Sequence, residues 1–170
     1  MTTPPTTSAA APTGPVGGRD QGGPLSGVTV LDLASVGPAA RCTRVLADYG
    51  ATVVKVGTVP GSAIEPIRPP FYAYSGARHL LHAAFDLKDP DGRAAFLDLV
   101  RGADVVVESF RPGVVDRLGI GFDALRAVNP RVILCSTTGY GQDGPRARWA
   151  GHDINSVSYT HLTLPTNREV

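Results

Sequence analysis

The feature that most constrains the fold is a repeated alternation of short apolar runs with helical patterns. "VTVLDLA" (Val28–Ala34), "TVVKV" (Thr52–Val56) and "DVVVE" (Asp104–Glu108) consist mostly of apolar, β-branched residues. Such runs favour strands that are covered on both faces, because a strand with one wet face would alternate apolar and polar residues. Two further extended stretches are predicted at Leu80–Leu87 and Arg131–Thr137.

Helical patterns separate these strands. Pro38 predicts the start of a helix that Gly50 closes at the position after its C-cap. Further helices are predicted over Arg93–Ala103, near Val114–Leu118 and near Phe122–Val128. Parallel strands need such crossovers, so the sequence predicts an α/β fold, a Rossmann-like parallel sheet with helices on both faces. Ligands of these sheets bind outside the carboxyl ends of the strands.

Composition divides the chain into three parts. Residues 1–24 are largely Thr, Pro, Ala and Gly, with almost nothing to bury, and are expected to form a disordered tail. Residues 25–156 are expected to form one α/β domain. Residues 157–170 are expected to be a non-native tail, because "SYTHLTLPTNREV" resembles translated adapter sequence. The alternative is a genuine short strand that Pro165 ends.

Charge and hydropathy exclude several classes of function. With 16 Lys and Arg against 15 Asp and Glu, the net charge of +1 offers no basic footprint, so nucleic acid is not an expected partner. No apolar run approaches the length of a membrane span, and no secretory signal opens the chain, so a cytoplasmic protein without membrane contact is expected.

The cysteines and the paired histidines carry little chemistry by themselves. Cys42 and Cys135 are expected to be buried free thiols, with a nucleophile or a disulfide as the alternatives. His79 and His82 lie three residues apart in one extended stretch, but no Cys or third ligand lies nearby, so no metal site is expected.

Three segments that follow strands could hold a ligand. The turn "ASVGP" lacks the glycine spacing of dinucleotide enzymes, and no phosphate-binding loop of the nucleoside triphosphatase type occurs. Arg111 and Arg117 in "ESFRPGVVDRLG" could pair with phosphates, or be ordinary surface arginines on a short helix. Lys88 could likewise face a phosphate or ribose, or be a solvated turn residue.

The segment "GYGQDGPRARWAGHDIN" (Gly139–Asn155) is the most unusual in the chain. Its four glycines indicate unusual dihedral angles, or a backbone that lies close against a ligand. It ends at His152 beside Asp153. A histidine in this position is a candidate for proton transfer near neutral pH, with a structural, hydrogen-bonded histidine as the alternative.

Together these motifs carry a family resemblance. From about Pro24 to Asn155, through "PLSGVTVLDLASVGP", "VLADYGATVVKV" and "FDLKDPDG" to "GHDIN", the chain resembles the N-terminal part of the family III CoA-transferases, the CaiB/BaiF group. That family includes formyl-CoA and carnitine-CoA transferases and α-methylacyl-CoA racemases, and "GHDIN" is most similar to the racemases. The resemblance implies a large Rossmann-like domain, a smaller second domain and an interlinked homodimer in the full-length protein.

The resemblance also implies a site. Six residues match family positions that hold the adenosine, phosphates and pantetheine of coenzyme A: Val36, Leu87, Lys88, Phe110, Arg111 and Arg117. His152 matches one of the two bases that flank the acyl α-carbon in racemases, and Asp153 would orient it or bind near the thioester. Coenzyme A thioesters are then substrates, and no tightly bound cofactor is expected. Gly57 stands where the family usually has Glu, so that contact with coenzyme A is in doubt.

The implied activity is that of an enzyme acting on acyl-CoA and carboxylic acids. It either transfers CoA through a carboxylate nucleophile or epimerises the acyl α-carbon through two acid/base groups. In both branches the key aspartate lies downstream of "GHDIN", beyond the end of this chain, so the chain is expected to be a fragment that is inactive alone. The alternative is a non-catalytic module that binds coenzyme A or another nucleotide.

Overall fold

The computed structural model describes residues 22–34, 37–59 and 80–149. The predicted tails therefore lie outside the described residues, except for residues 22–24. The elements in the described ranges are β1 (Thr29–Asp32), α1 (Pro38–Asp48), β2 (Thr52–Gly57), β3 (Leu81–Ala84), α2 (Pro90–Val100), β4 (Val105–Glu108), α3 (Val114–Arg117), α4 (Phe122–Val128) and β5 (Ile133–Ser136).

The five described strands form one sheet in the order β3-β2-β1-β4-β5, and every pairing in it is parallel. The predicted Rossmann-like parallel sheet is confirmed. The chain builds outward from β1 through β2 to β3, then returns to place β4 on the other side of β1. The point where the strand order reverses thus lies between β1 and β4, where ligands of doubly wound sheets bind.

Helices cover both faces of this sheet, as predicted. Consecutive residues of β1 point to opposite faces, and Val30 and Leu31 are both 0% exposed in two different hydrophobic clusters. The Val30 cluster includes Ala39 of α1, whereas the Leu31 cluster includes Phe96 of α2 and Leu125 of α4. Right-handed crossovers that run in opposite directions from the centre of a sheet put their helices on opposite faces.

Helix α2 begins earlier than the sequence pattern indicates, at Pro90 instead of Arg93. The Asp89 carboxylate accepts hydrogen bonds from the N–H groups of Asp91 and Gly92, both at 3.0 Å. The segment "KDPDG" is therefore a capped helix start with Pro in its first turn. As a result Lys88 directly precedes the cap residue of α2.

The predicted burial of the two cysteines is wrong, although both thiols are free. In α1 the neighbouring Thr43 is 0% exposed, and Cys42 turns to solvent. Cys135 lies in the edge strand β5, two residues after Ile133 and therefore on the same face. Ile133 is 61% exposed, so this part of the sheet face is open and Cys135 is exposed with it.

Candidate functional site

The candidate site lies at the carboxyl edge of the sheet. Because all described strands are parallel, the segments after Asp32, Ala84, Glu108 and Ser136 leave at this one edge. These segments carry most of the residues for which the sequence predicts ligand contacts.

An open depression of about 470 Å³ lies between the segments that follow β4 and β5. Pro112 and Gly113, from the segment after β4, line it together with residues 142–145 and 147–149, from the segment after β5. Gly141 and Gly144 have φ values of 84° and 94°, in the left-handed region that side chains with a Cβ rarely adopt. The unusual dihedral angles predicted for this segment are confirmed.

One arginine lines the depression, and two more are close to its lining residues in the chain or in space. Arg111 is exposed and directly precedes Pro112, and its carbonyl accepts the Val114 N–H at 3.1 Å. Arg117 folds back toward the same turn, since a Cβ atom at Gly113 would lie 3.8 Å from its Nη1. Arg148 is a lining residue. These guanidinium groups make the surroundings of the depression attractive to an anion, with Asp143 as an acidic residue in its lining.

The remaining predicted contacts are distributed along the edge. Leu87 and Phe110 are half-buried against one hydrophobic cluster. Lys88 is exposed beyond β3, where its N–H donates to Asp86 Oδ1 at 3.0 Å. Three strand spacings, about 14 Å, separate β3 from β4. Arg111 thus precedes a lining residue of the depression in the chain and Arg117 lies near Gly113, whereas Lys88 follows β3 at the other end of the sheet. Val36, His152 and Asp153 lie outside the described residues.

A buried polar network at the carboxyl end of β1 was missed by the sequence reasoning. Asp32 is 0% exposed, and its Oδ2 accepts hydrogen bonds from Thr43 Oγ1 at 2.6 Å and Lys55 Nζ at 3.0 Å. Its Oδ1 accepts the Ala34 N–H at 2.8 Å, which holds the first residues after β1. Two features of the sequence could have predicted this network. Asp32 ends the apolar run "VTVLD", and Lys55 is a charged residue inside the otherwise apolar strand "TVVKV".

Two more polar groups near this edge are removed from solvent. Glu108, 2% exposed, ends β4, and its Oε2 accepts the Phe110 N–H at 2.7 Å. The hydroxyl of Thr138, just after β5, is buried with no hydrogen-bond partner within the described ranges. Such unpaired groups are rare because leaving one unsatisfied costs about 1–3 kcal/mol.

Residues 22–34, 37–59 and 80–149 contain no group of three or more His, Cys, Asp or Glu side chains that could hold a metal ion. Among the helices that the structure describes, none has the length and apolar character needed to cross a membrane.

Comparison with known proteins adds to this picture. The chain is 41% identical over 144 residues to the alpha-methylacyl-CoA racemase of Homo sapiens, which covers 85% of this chain and 36% of that protein. It is 38% identical over 153 residues to the acetyl-CoA:oxalate CoA-transferase of Acetobacter aceti, covering 85% of this chain and 39% of that protein. The chain therefore spans less than two fifths of the length of these relatives.

A solved structure shares the fold. The crystal structure of Rv3272 from M. tuberculosis matches with a TM-score of 0.73 and 35% identity, over 83% of this chain and 39% of that one. A sequence profile described as CoA-transferase family III matches residues 25–168. On the parallel sheet, these relatives and this profile, the chain belongs to CoA-transferase family III.

Proposed function

We propose that this chain binds a coenzyme A thioester along the carboxyl edge of its sheet. In the complete protein, that complex either transfers CoA between carboxylic acids or epimerises the acyl α-carbon. The observation that carries the proposal is an open depression at this edge that Arg148 lines, with Arg117 near its lining residue Gly113 and Arg111 directly before Pro112. The family supports it, since relatives of both activities match the chain.

The charges of coenzyme A fit this edge. Guanidinium groups form two parallel hydrogen bonds with phosphate, which suits Arg111 and Arg117 to the phosphates of the ligand. Lys88 supplies a point charge in the segment after β3, three strands away from β4 in the sheet. A long, extended ligand can contact both ends, which a small anion could not do.

The less polar part of the ligand would lie along Leu87 and Phe110. Both side chains are only half-buried, so they offer apolar surface at the edge. The Glu108 carboxylate holds the Phe110 N–H and thereby positions this residue. Asp32 holds the Ala34 N–H and fixes the backbone two residues before Val36.

The chemical step is assigned to residues that follow the lining of the depression in the chain. We assign His152 to proton transfer at the acyl α-carbon if the complete protein is a racemase, with Asp153 orienting its ring. A transferase would instead need a carboxylate that attacks the thioester. The two reactions are distinguished by incubating the complete protein with 2-methylacyl-CoA in deuterium oxide. A racemase exchanges the α-proton without a second substrate, whereas a transferase turns over only with a free carboxylic acid.

Binding is tested by calorimetric titration of the 170-residue chain with coenzyme A and acetyl-CoA. Arg111→Gln and Arg117→Gln should each weaken binding by about 10-fold or more, since a hydrogen bond to a charged group contributes about 1.5–3 kcal/mol. Arg126→Gln is the matched control, because Arg126 is an exposed arginine of α4. Absence of binding by the wild-type chain, or equal losses in all three variants, would refute the proposal.

A further inference from the structure

The single tryptophan of the chain, Trp149, lines the depression and is 60% exposed. The aromatic ring of Phe96, in contrast, is 0% exposed in the core. Tryptophan carries the largest apolar surface of any side chain, and burying it usually contributes to folding. The position of Trp149 at the wall of a depression therefore leaves surface that a ligand can cover.

The ring of Trp149 is held in place by its neighbours. The guanidinium carbon of Arg146 lies 5.1 Å from the ring centroid, within the range of a cation–π interaction. Tyr140 meets the same ring edge to face, with centroids 6.1 Å apart and planes at 79°. An exposed aromatic ring that is already ordered loses little entropy when a ligand stacks on it.

From these contacts we infer that Trp149 is a stacking platform for a planar π group of the bound thioester. Two parts of such a ligand have this chemistry, the adenine base of coenzyme A and an aromatic acyl group. The inference rests on the proposed function and deepens it, because it names the chemical class of the group, a planar π system, that occupies the depression.

The size and the lining of the depression agree with a flat group. Its volume of about 470 Å³ lies within the range of small-molecule pockets. The lining also contains Gly113, which has no side chain, beside Pro112. Arg148 in the lining and Arg117 next to Gly113 would face the phosphates or the thioester end of the same ligand. A ligand whose ring stacks on Trp149 while its negatively charged groups contact an arginine would use both the exposed aromatic ring and the positive charge of this site.

Because Trp149 is the only tryptophan, its fluorescence reports on this site alone. The 170-residue chain is titrated with three partial ligands: adenosine 3′,5′-bisphosphate, S-benzoylpantetheine and S-acetylpantetheine. Stacking of adenine predicts quenching by the bisphosphate only. Stacking of an aromatic acyl group predicts quenching by the benzoyl but not by the acetyl compound. Either result supports the stacking platform and identifies which group of the ligand, adenine or the acyl group, stacks on Trp149.

Variants test the energetic contribution. Trp149→Leu should weaken calorimetric binding of the quenching ligand by about 5- to 150-fold, the range for aromatic stacking on a base, while Trp149→Phe keeps part of it. Phe122→Leu, a change in an aromatic that is 45% exposed on α4, is the matched control and should bind normally. Circular dichroism of Trp149→Leu should match the wild type.

The outcomes separate this inference from the proposed function. Coenzyme A binding by calorimetry, with unchanged fluorescence and unchanged affinity in Trp149→Leu, would overturn the platform and leave the proposed function standing. No heat and no fluorescence change with coenzyme A or any partial ligand would overturn both.

Discussion

The Asp32 carboxylate and the Lys55 ammonium lie 3.0 Å apart at the carboxyl ends of β1 and β2, with side chains 1% and 10% exposed. Removing two charges from water is costly, and only close pairing with further hydrogen bonds offsets that cost. Thr43 and the Ala34 N–H supply those bonds. The pair therefore joins two central strands and α1 at the point where the first loop leaves the sheet.

Breaking this pair should strongly destabilise the fold. Lys55→Met leaves the Asp32 carboxylate charged and buried, so the free energy of unfolding should fall by about 3–5 kcal/mol in urea titrations. Adding Asp32→Asn removes the charge but keeps a carbonyl acceptor, so the double variant should recover most of the loss. Lys88→Met is the control, because Lys88 is exposed. Equal stability of Lys55→Met and Lys88→Met would contradict the buried pair.

The start of α2 depends on one carboxylate. Asp89→Ala removes the acceptor of two backbone N–H groups and should lower the free energy of unfolding by about 1 kcal/mol. Asp98→Ala in the same helix breaks only an exposed pair with Arg101, and its thermal midpoint should stay close to that of the wild type. A similar small change in both variants would argue that α2 begins without this cap.

Gly92 should tolerate no larger residue. A Cβ atom there would collide with the backbone carbonyl of Asp86, so Gly92→Ala must displace the turn that carries Lys88. We expect a loss of about 1–3 kcal/mol in urea titrations. Gly102→Ala is the matched control, because its Cβ would meet only the Leu99 carbonyl at 4.0 Å. Two variants of equal stability would show that the turn has room.

Both thiols should react in the folded protein. Since Cys42 and Cys135 are exposed, Ellman's reagent should modify two equivalents without denaturant, and Cys42→Ser should leave one. Unfolding in urea should not raise the count. If the thiols react only after unfolding, that result would contradict their exposure and support the burial expected from the sequence.

Local patterns in the sequence predicted much of the fold. Each run of β-branched residues formed a strand, and Pro38 and Gly50 bounded α1 as expected. The N-terminus of α2 was misplaced even though its signal is local, because the Asp and Pro of "KDPDG" also suit a plain turn. The exposure of Cys135 could not be read locally, since it depends on whether another element covers the edge strand.

By itself the sequence determined the strand and helix types, the parallel class of the sheet and the family to which the chain belongs. Only the tertiary structure decided the strand order, the pairing of Asp32 with Lys55 and the depression shared by Gly113 and Trp149. The physical reason is distance along the chain. Backbone preference depends on neighbours within a few residues, whereas a buried charge pair or a pocket wall joins residues tens of positions apart, whose meeting depends on how the whole sheet packs.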